Sequence, residues 1–458
     1  MPDRMKQTGS LPAQAQSDTH LQTRSGGWAP LWTERANWPQ QVLAFLPLTL
    51  FFPVGVMYGG VLVFYISLLL SCVSNDTWRL KLQAIRCSPM LLPVLALSAV
   101  SIVAAVLHER PAGEFWSGFW HYQTYIFLFP FLCVGAGVWQ QKALKNFFAG
   151  AVFAASLYYL NLLHVLPANT LFRSYVVYEG NKSILLGILL ALASGWMLHE
   201  LVLRKNHLLV RMFVLAYVVL ALLLLAKTRT ASLIFVLLCV LMALRNLRWS
   251  WRSALVLACL LMAGVGTWNY VLSLPAPVTC AVNEMQLAGA RPAQILVTRA
   301  QCTVHQVHSF NEGKNIGEDG MRLEIYKVTS QIIAEQVVLG HGIANWMPLY
   351  QQRAKGMMSG TMTTPHNDYL LYFTELGIAG LAALLWIWLS QLRLAHRMTK
   401  QAQTRERAML LAMLGITMMV GGMFNAILRD GVFGMALMIL LAIPLAGVRT
   451  GYRQANAT

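Results

Sequence analysis

Apolar runs of membrane-crossing length recur along this chain more often than a soluble fold can hide. A spanning helix needs about 20 mostly apolar residues. Twelve candidate stretches occur, at residues 41–57, 59–73, 89–107, 119–139, 147–165, 183–203, 208–226, 230–244, 254–273, 367–390, 408–427 and 431–447. Residues 41–73 form one apolar run, divided at Tyr58-Gly59-Gly60 because paired glycines mark turns. Residues 208–244 form another, divided at Lys227-Thr228-Arg229-Thr230. As a single span it would hold two cations near the bilayer centre, at about 2.5–3.5 kcal/mol each. Composition agrees, with 57% hydrophobic and 12% charged residues, against roughly 45–50% and 25% in soluble domains. That excludes a disordered chain and a single soluble core of this length. Seven cysteines in 458 residues are too sparse for a disulfide scaffold. The expected fold class is an all-α polytopic membrane protein of about twelve transmembrane helices.

The net charge is +17, and its distribution matters more than its size. With the N-terminus inside, the inner segments carry 22 Lys and Arg, and the short outer loops carry 6. This asymmetry is the positive-inside signature. It explains the basic balance as topology, so no nucleic-acid partner is needed. The first forty residues lack an apolar core and do not resemble a signal peptide. The expected organisation is a disordered cytoplasmic tail at 1–40, transmembrane helices 1–9 at 41–273 and a periplasmic loop at 274–366. Helices 10–12 follow at 367–447, and a cytoplasmic tail at 448–458.

The loop at 274–366 is too long for a plain connection. It holds seven cations and six acids, so it is not a basic arm. Cys280 and Cys302 both fall in it, and thiols outside the inner membrane are oxidised. A disulfide between them is expected; the alternative is two free thiols in a compact loop. Residues 321–338 have helical period, with Leu323, Tyr326, Ser330, Ile333 and Val337 on one face. Asp319 is the expected N-cap, which places Arg322 in a defined first turn.

The loop ends at Thr363-Thr364-Pro365-His366-Asn367, where the tenth span begins. Thr364 reads as N-cap and Pro365 as the first helical residue. His366 would then sit in the first turn of a membrane helix. Partial positive charge at that end disfavours imidazolium and keeps the ring neutral, as a general base requires. Free N–H groups there also favour anions such as phosphate. An interfacial histidine with only a structural role is the plainer alternative.

From His366 the chain reads HNDYLLYFTELGIAGL, a His-Asn pair followed by Gly377 and Gly380. This resembles the signature of the bacterial O-antigen ligase family, within the wider group of O-antigen polymerases and protein O-oligosaccharyltransferases. The layout agrees with that resemblance: about twelve spans, a large loop before the motif, an arginine in KTRTA (227–231), and Arg322 ahead of Gly340-His341-Gly342. The resemblance implies a GT-C-like glycosyltransferase in a Gram-negative inner membrane, with its active site on the periplasmic face. It also implies transfer of polysaccharide from undecaprenyl diphosphate to lipid A-core, inverting, without metal or other cofactor.

A diphosphate leaving group needs fixed cations, and the arginine fork matches phosphate oxygens in pairs. Matching to the family pattern gives Arg229 and Arg322 this role, with Arg299 beside them. Lys227, Lys182 and Arg173 are candidates by location alone, with contacts to membrane lipids or the surface as the plainer reading. His366 is the candidate base for the acceptor hydroxyl, with Asn367 orienting it or the substrate. A retaining route would need a paired carboxylate nucleophile, and nothing marks out Glu312, Glu318 or Asp319. Gly377 and Gly380 read as sites of close helix packing or a bend. Among rivals, an ion-coupled transporter would place ionisable groups in mid-membrane, where Glu375 is the deepest exception here. An O-antigen polymerase and a protein O-glycosylating enzyme share the layout.

Overall fold

The computed structural model describes residues 37–72, 75–108, 115–166, 181–204, 206–226, 228–246, 251–280, 285, 289–312 and 317–449. The N-terminal tail and the last residues of the C-terminal tail lie outside them. Every regular element among the described residues is helical. In chain order these are α1 (Trp38–Thr49), α2 (Val54–Leu70), α3 (Asn75–Arg86), α4 (Leu91–Leu107), α5 (Phe115–Tyr122) and α6 (Leu128–Leu132). Then come α7 (Trp139–Leu162), α8 (Asn181–Leu203), α9 (Leu208–Leu220), α10 (Arg229–Asn246) and α11 (Trp251–Ser273). The loop contributes α12 (Pro292–Asn311), α13 (Gly317–Glu335) and α14 (Trp346–Arg353), and the chain ends with α15 (Asp368–Met398), α16 (Arg405–Phe424) and α17 (Gly431–Leu445).

Five helical stretches are long and apolar enough to cross a membrane: Trp139–Leu162, Ser183–Leu203, Leu208–Leu225, Asp368–Met398 and Ala402–Phe424. A sixth is a pair, Trp78–Arg86 with Leu91–Leu107, bent by 78°. α2 and α17 are apolar but shorter.

Two expected boundaries are corrected and a third holds. The run at 41–73 breaks at Phe51–Pro53, not at the glycine pair. Pro53 has no N–H and pushes the residue before it out of the helical region. Gly59 and Gly60 lie inside α2, and a Cβ on Gly60 would stand 2.8 Å from the Leu46 side chain, so that glycine serves close packing against α1. The span expected at 119–139 is broken into α5, a 3₁₀ turn at Thr124–Phe127, and α6. Pro130 and the left-handed Gly135 (φ 72°) follow in that stretch, and neither supports a continuous helix. The seventh apolar run ends in a π-turn at Ala221–Leu225, and α10 opens at Arg229, so 208–244 does divide beside the cations.

In the loop, α13 starts at Gly317 (φ 76°), which puts Glu318 and Asp319 inside its first turn rather than making Asp319 the N-cap. Its buried stripe is Ile325, Val328, Thr329, Ile332 and Ile333. The face expected from Leu323, Ser330 and Val337 is therefore rotated, with Ser330 and Val337 exposed. On that buried face the Trp346 indole N–H donates to Thr329 Oγ1 at 3.1 Å.

α15 is the longest helix, packed between α16 and α4. It is interrupted at Gly377, whose φ of 68° and ψ of −165° are not helical. Residues 337–342 fill the interruption. His341 N–H donates to Thr374 O (2.8 Å), Gly342 N–H to Glu375 O (3.0 Å), and Ile378 N–H to Val337 O (2.9 Å). Backbone groups freed by the break thus find partners. A Cβ on Gly377 would lie 2.2 Å from Val338 O, so no other residue fits there unchanged.

Candidate active site

The His-Asn motif opens α15 differently from its sequence expectation. Asn367, not Thr364, is the N-cap, its side-chain oxygen accepting Leu370 N–H at 3.0 Å. His366 precedes the cap in a left-handed conformation (φ 49°), so it is outside the first turn. Asn367 wins because its short amide reaches the free N–H while the residue itself stays extended. The His366 N–H donates to Thr364 Oγ1 (3.2 Å), and its carbonyl accepts from Tyr326 of α13 (3.4 Å). Both bonds hold the backbone and leave the ring to the cleft.

That cleft measures about 340 Å³ and is lined by His366, His121, Thr364, Asn425 and Arg429 among others. Burial pushes the His366 imidazole down to about 4, aided by the charges of Arg322 and Arg429. The ring is neutral at ordinary pH, which is the state a base needs.

The rest of the motif builds the opposite wall. Asn367 Nδ2 donates to Met423 O at 2.9 Å, and Tyr326 OH donates to the same carbonyl at 3.1 Å. Asp368 is fully buried and accepts Leu428 N–H. Together these fix the connection between α16 and α17, whose next residue is Arg429. The Arg429 guanidinium donates to Thr363 O, closing the ring of contacts around His366.

The three expected arginines form one electrostatic group. Arg229 and Arg299 line a shared cavity of about 160 Å³ together with Gln306 and the Cys280–Cys302 disulfide, whose Cα atoms are 5.9 Å apart. Burial lowers the Arg299 pKa, and the charges of Arg229 and Arg322 add to the effect. Arg322 in turn acts on His366 and Tyr326. Arg229 is engaged: it donates to Asp319 and to Thr303 Oγ1, and Glu318 lies 3.5 Å away. Arg173 and Lys227 lie outside the described residues, as does the side chain of Lys182, whose backbone is in the first turn of α8. Gly380 sits in continuous helix, where a Cβ would meet Leu376 Cβ at 2.2 Å.

Sequence reasoning missed Arg429, His121, Tyr326 and the role of Glu375. Arg429 had a signal, as the cation in the short connection before the last span. Glu375 is buried and accepts from Tyr122 OH (2.6 Å), Ala344 N–H (2.9 Å) and Trp346 N–H (3.3 Å). It holds the segment after Gly342 against the break in α15, beside a small cavity that also touches Arg429.

The fold and this cleft define a helical membrane protein with a neutral histidine set among arginines at one end of the bundle. The family model Wzy_C, O-antigen ligase, matches residues 212–385. That stretch contains Arg229, Arg299, Arg322, His366 and Gly377, so the match to this family falls on the segment that carries the cleft and its arginines. No curated protein matches the chain.

Proposed function

We propose that the chain is an O-antigen ligase, which moves polysaccharide from undecaprenyl diphosphate to lipid A-core on the periplasmic face of a Gram-negative inner membrane. The observation that carries this reading is the setting of His366, a half-buried neutral ring in an open cleft with Arg322 and Arg429 acting on it. The family match adds the substrate class. In this reading the chain crosses the membrane twelve times with both termini cytoplasmic, and residues 274–366 are periplasmic.

The acceptor hydroxyl loses its proton to the free nitrogen of His366 as its oxygen bonds the anomeric carbon. The bond from that carbon to the phosphate oxygen breaks, and its electron pair leaves with the diphosphate. A single displacement of this kind inverts the anomeric centre. Arg322 and Arg299 meet the growing negative charge, and Arg229 joins them by exchanging its carboxylate partners for phosphate oxygens. His366 passes its proton to water afterwards. None of these steps draws on a metal or other cofactor.

The test is reconstitution of the purified chain with lipid-linked polymer and lipid A-core. Polymer joined to lipid A-core is the expected product. Loss of the gene should leave lipid A-core bare while lipid-linked polymer accumulates. Polymer on the carrier shrinking to a single repeat would instead make the chain the polymerase.

A further inference from the structure

At the end of the bundle remote from His366, buried donors gather without partners. Trp196 and His199 sit one turn apart on α8 with ring centroids 5.1 Å apart, and they are 1% and 3% exposed. Among the described residues, Trp196 Nε1, both ring nitrogens of His199 and Nη1 of Arg245 on α10 are buried without a hydrogen-bond partner. Arg245 lies within electrostatic reach of His199, and Arg405 of α16 within reach of Arg245. The acids nearby are otherwise engaged: Glu200 pairs with Arg204 at 3.0 Å, and Glu406 is 3.7 Å from the same guanidinium.

Indole and guanidinium groups only donate, and a buried donor left unpaired is costly. Donors from two packed helices, with the Arg245 charge and, among the described residues, no carboxylate paired to it, call for an anion with several oxygens. Position narrows the class. Ile184 of α8 lines the His366 cleft, and His199 lies roughly 22 Å further along the same helix. Arg245 lies roughly 24 Å along α10 from Arg229. The cluster is therefore near the opposite membrane face, where phosphate headgroups are abundant.

We propose that Trp196, His199 and Arg245, with Arg405 at the rim, form a phosphate-binding site at the membrane face opposite the His366 cleft. Its ligand is the phosphate of an anionic phospholipid headgroup or inorganic phosphate, and the two share the chemistry. The indole and imidazole N–H groups and the guanidinium donate to the phosphate oxygens. Arginine makes the strongest of these contacts because its bonds are charge-assisted.

The full chain in detergent tests this by native mass spectrometry with phosphatidylglycerol or phosphatidylcholine, and by thermal denaturation with inorganic phosphate against chloride at equal ionic strength. Phosphatidylglycerol should bind in preference to phosphatidylcholine, and Arg245→Gln should weaken it by roughly tenfold. Trp196→Phe keeps the ring and removes one donor, so it supplies a second variant if Arg245→Gln does not fold; it should weaken binding to a lesser degree. Stabilisation by inorganic phosphate with no lipid preference, lost in either variant, would support the site and assign it to the free anion. Binding of both lipids equally in wild type and variants, with no effect of inorganic phosphate, would overturn it.

Discussion

The buried carboxylate of Asp368 accepts the backbone N–H of Leu428 at 3.3 Å on each oxygen, across 60 residues of chain. This one contact ties the His-Asn motif to the connection that presents Arg429. Asp368→Ala leaves a buried N–H unpaired, a cost of about 1–3 kcal/mol, and should lower both the melting temperature and transfer. Asp368→Asn keeps an acceptor in place and should recover part of each. Thermal denaturation and the transfer assay on the same preparations check this. Equal behaviour of the two variants would contradict the clamp.

His366→Ala should lower transfer by at least about 10²-fold, the usual scale for a positioned base. Its backbone contacts do not depend on the ring, so the variant should accumulate in membranes at wild-type level. Wild-type transfer by this variant would refute the assignment of the base.

The pH profile carries a signed expectation. With His366 held near 4 rather than 6.5, transfer should stay level as pH falls from 7 to 5 and drop only toward 4. Arg322→Gln removes one of the two cations that depress the ring, so the acid limb should move to higher pH. The same shift bears on stability. The unfolded chain takes the proton more readily, so this residue's contribution is complete above 6.5 and is lost as pH falls from there to about 4. A wild-type acid limb already near 6.5 would contradict the site.

The Cys280–Cys302 disulfide closes a segment of 22 residues beside Arg229 and Arg299. Chain-entropy reasoning gives it about 3 kcal/mol. Paired Cys→Ser substitutions should destabilise the loop, raise its protease sensitivity and weaken use of the donor. Peptide mapping without reductant should recover the two cysteines as one linked species; two free thiols would refute the pairing.

Gly377→Ala forces an L residue to φ 68° and drives its Cβ into Val338 O. That combination of φ and ψ is open essentially to glycine alone and costs another residue about 1–3 kcal/mol. Expression and melting temperature should both fall; Gly380→Ala, whose Cβ would stand 2.2 Å from Leu376 Cβ, should also cost stability but leave the backbone junction with residues 337–342 in place.

The all-helical, membrane-crossing character was legible because long apolar runs answer directly to the bilayer, although five to six helical stretches, not twelve, reach crossing length and apolarity among the described residues. Boundaries were less so: Gly59-Gly60 looked like a turn but lies inside a helix, with Gly60 packed on Leu46, while Pro53 was the break. His366 was legible from its motif. Arg322 lies within electrostatic reach of His366, and Arg229 and Arg299 line one cavity. The clamp by Asp368 was not legible, because a side chain that meets a backbone N–H sixty residues away leaves no periodic trace. Arg429 was visible as an isolated cation, but only the contacts of Asn367, Asp368 and Thr363 give it a place beside the histidine.

The break in α15 has a consequence for assembly. Thr374 and Glu375 give their carbonyls, and Ile378 its N–H, to residues 337–342 rather than to their own helix. In lipid a backbone group without a partner is strongly disfavoured. The tenth apolar run is therefore not a self-sufficient insertion unit, since its middle is completed by a stretch made earlier in the chain. Damage to residues 337–342 would therefore leave backbone groups in the middle of that run without their partners.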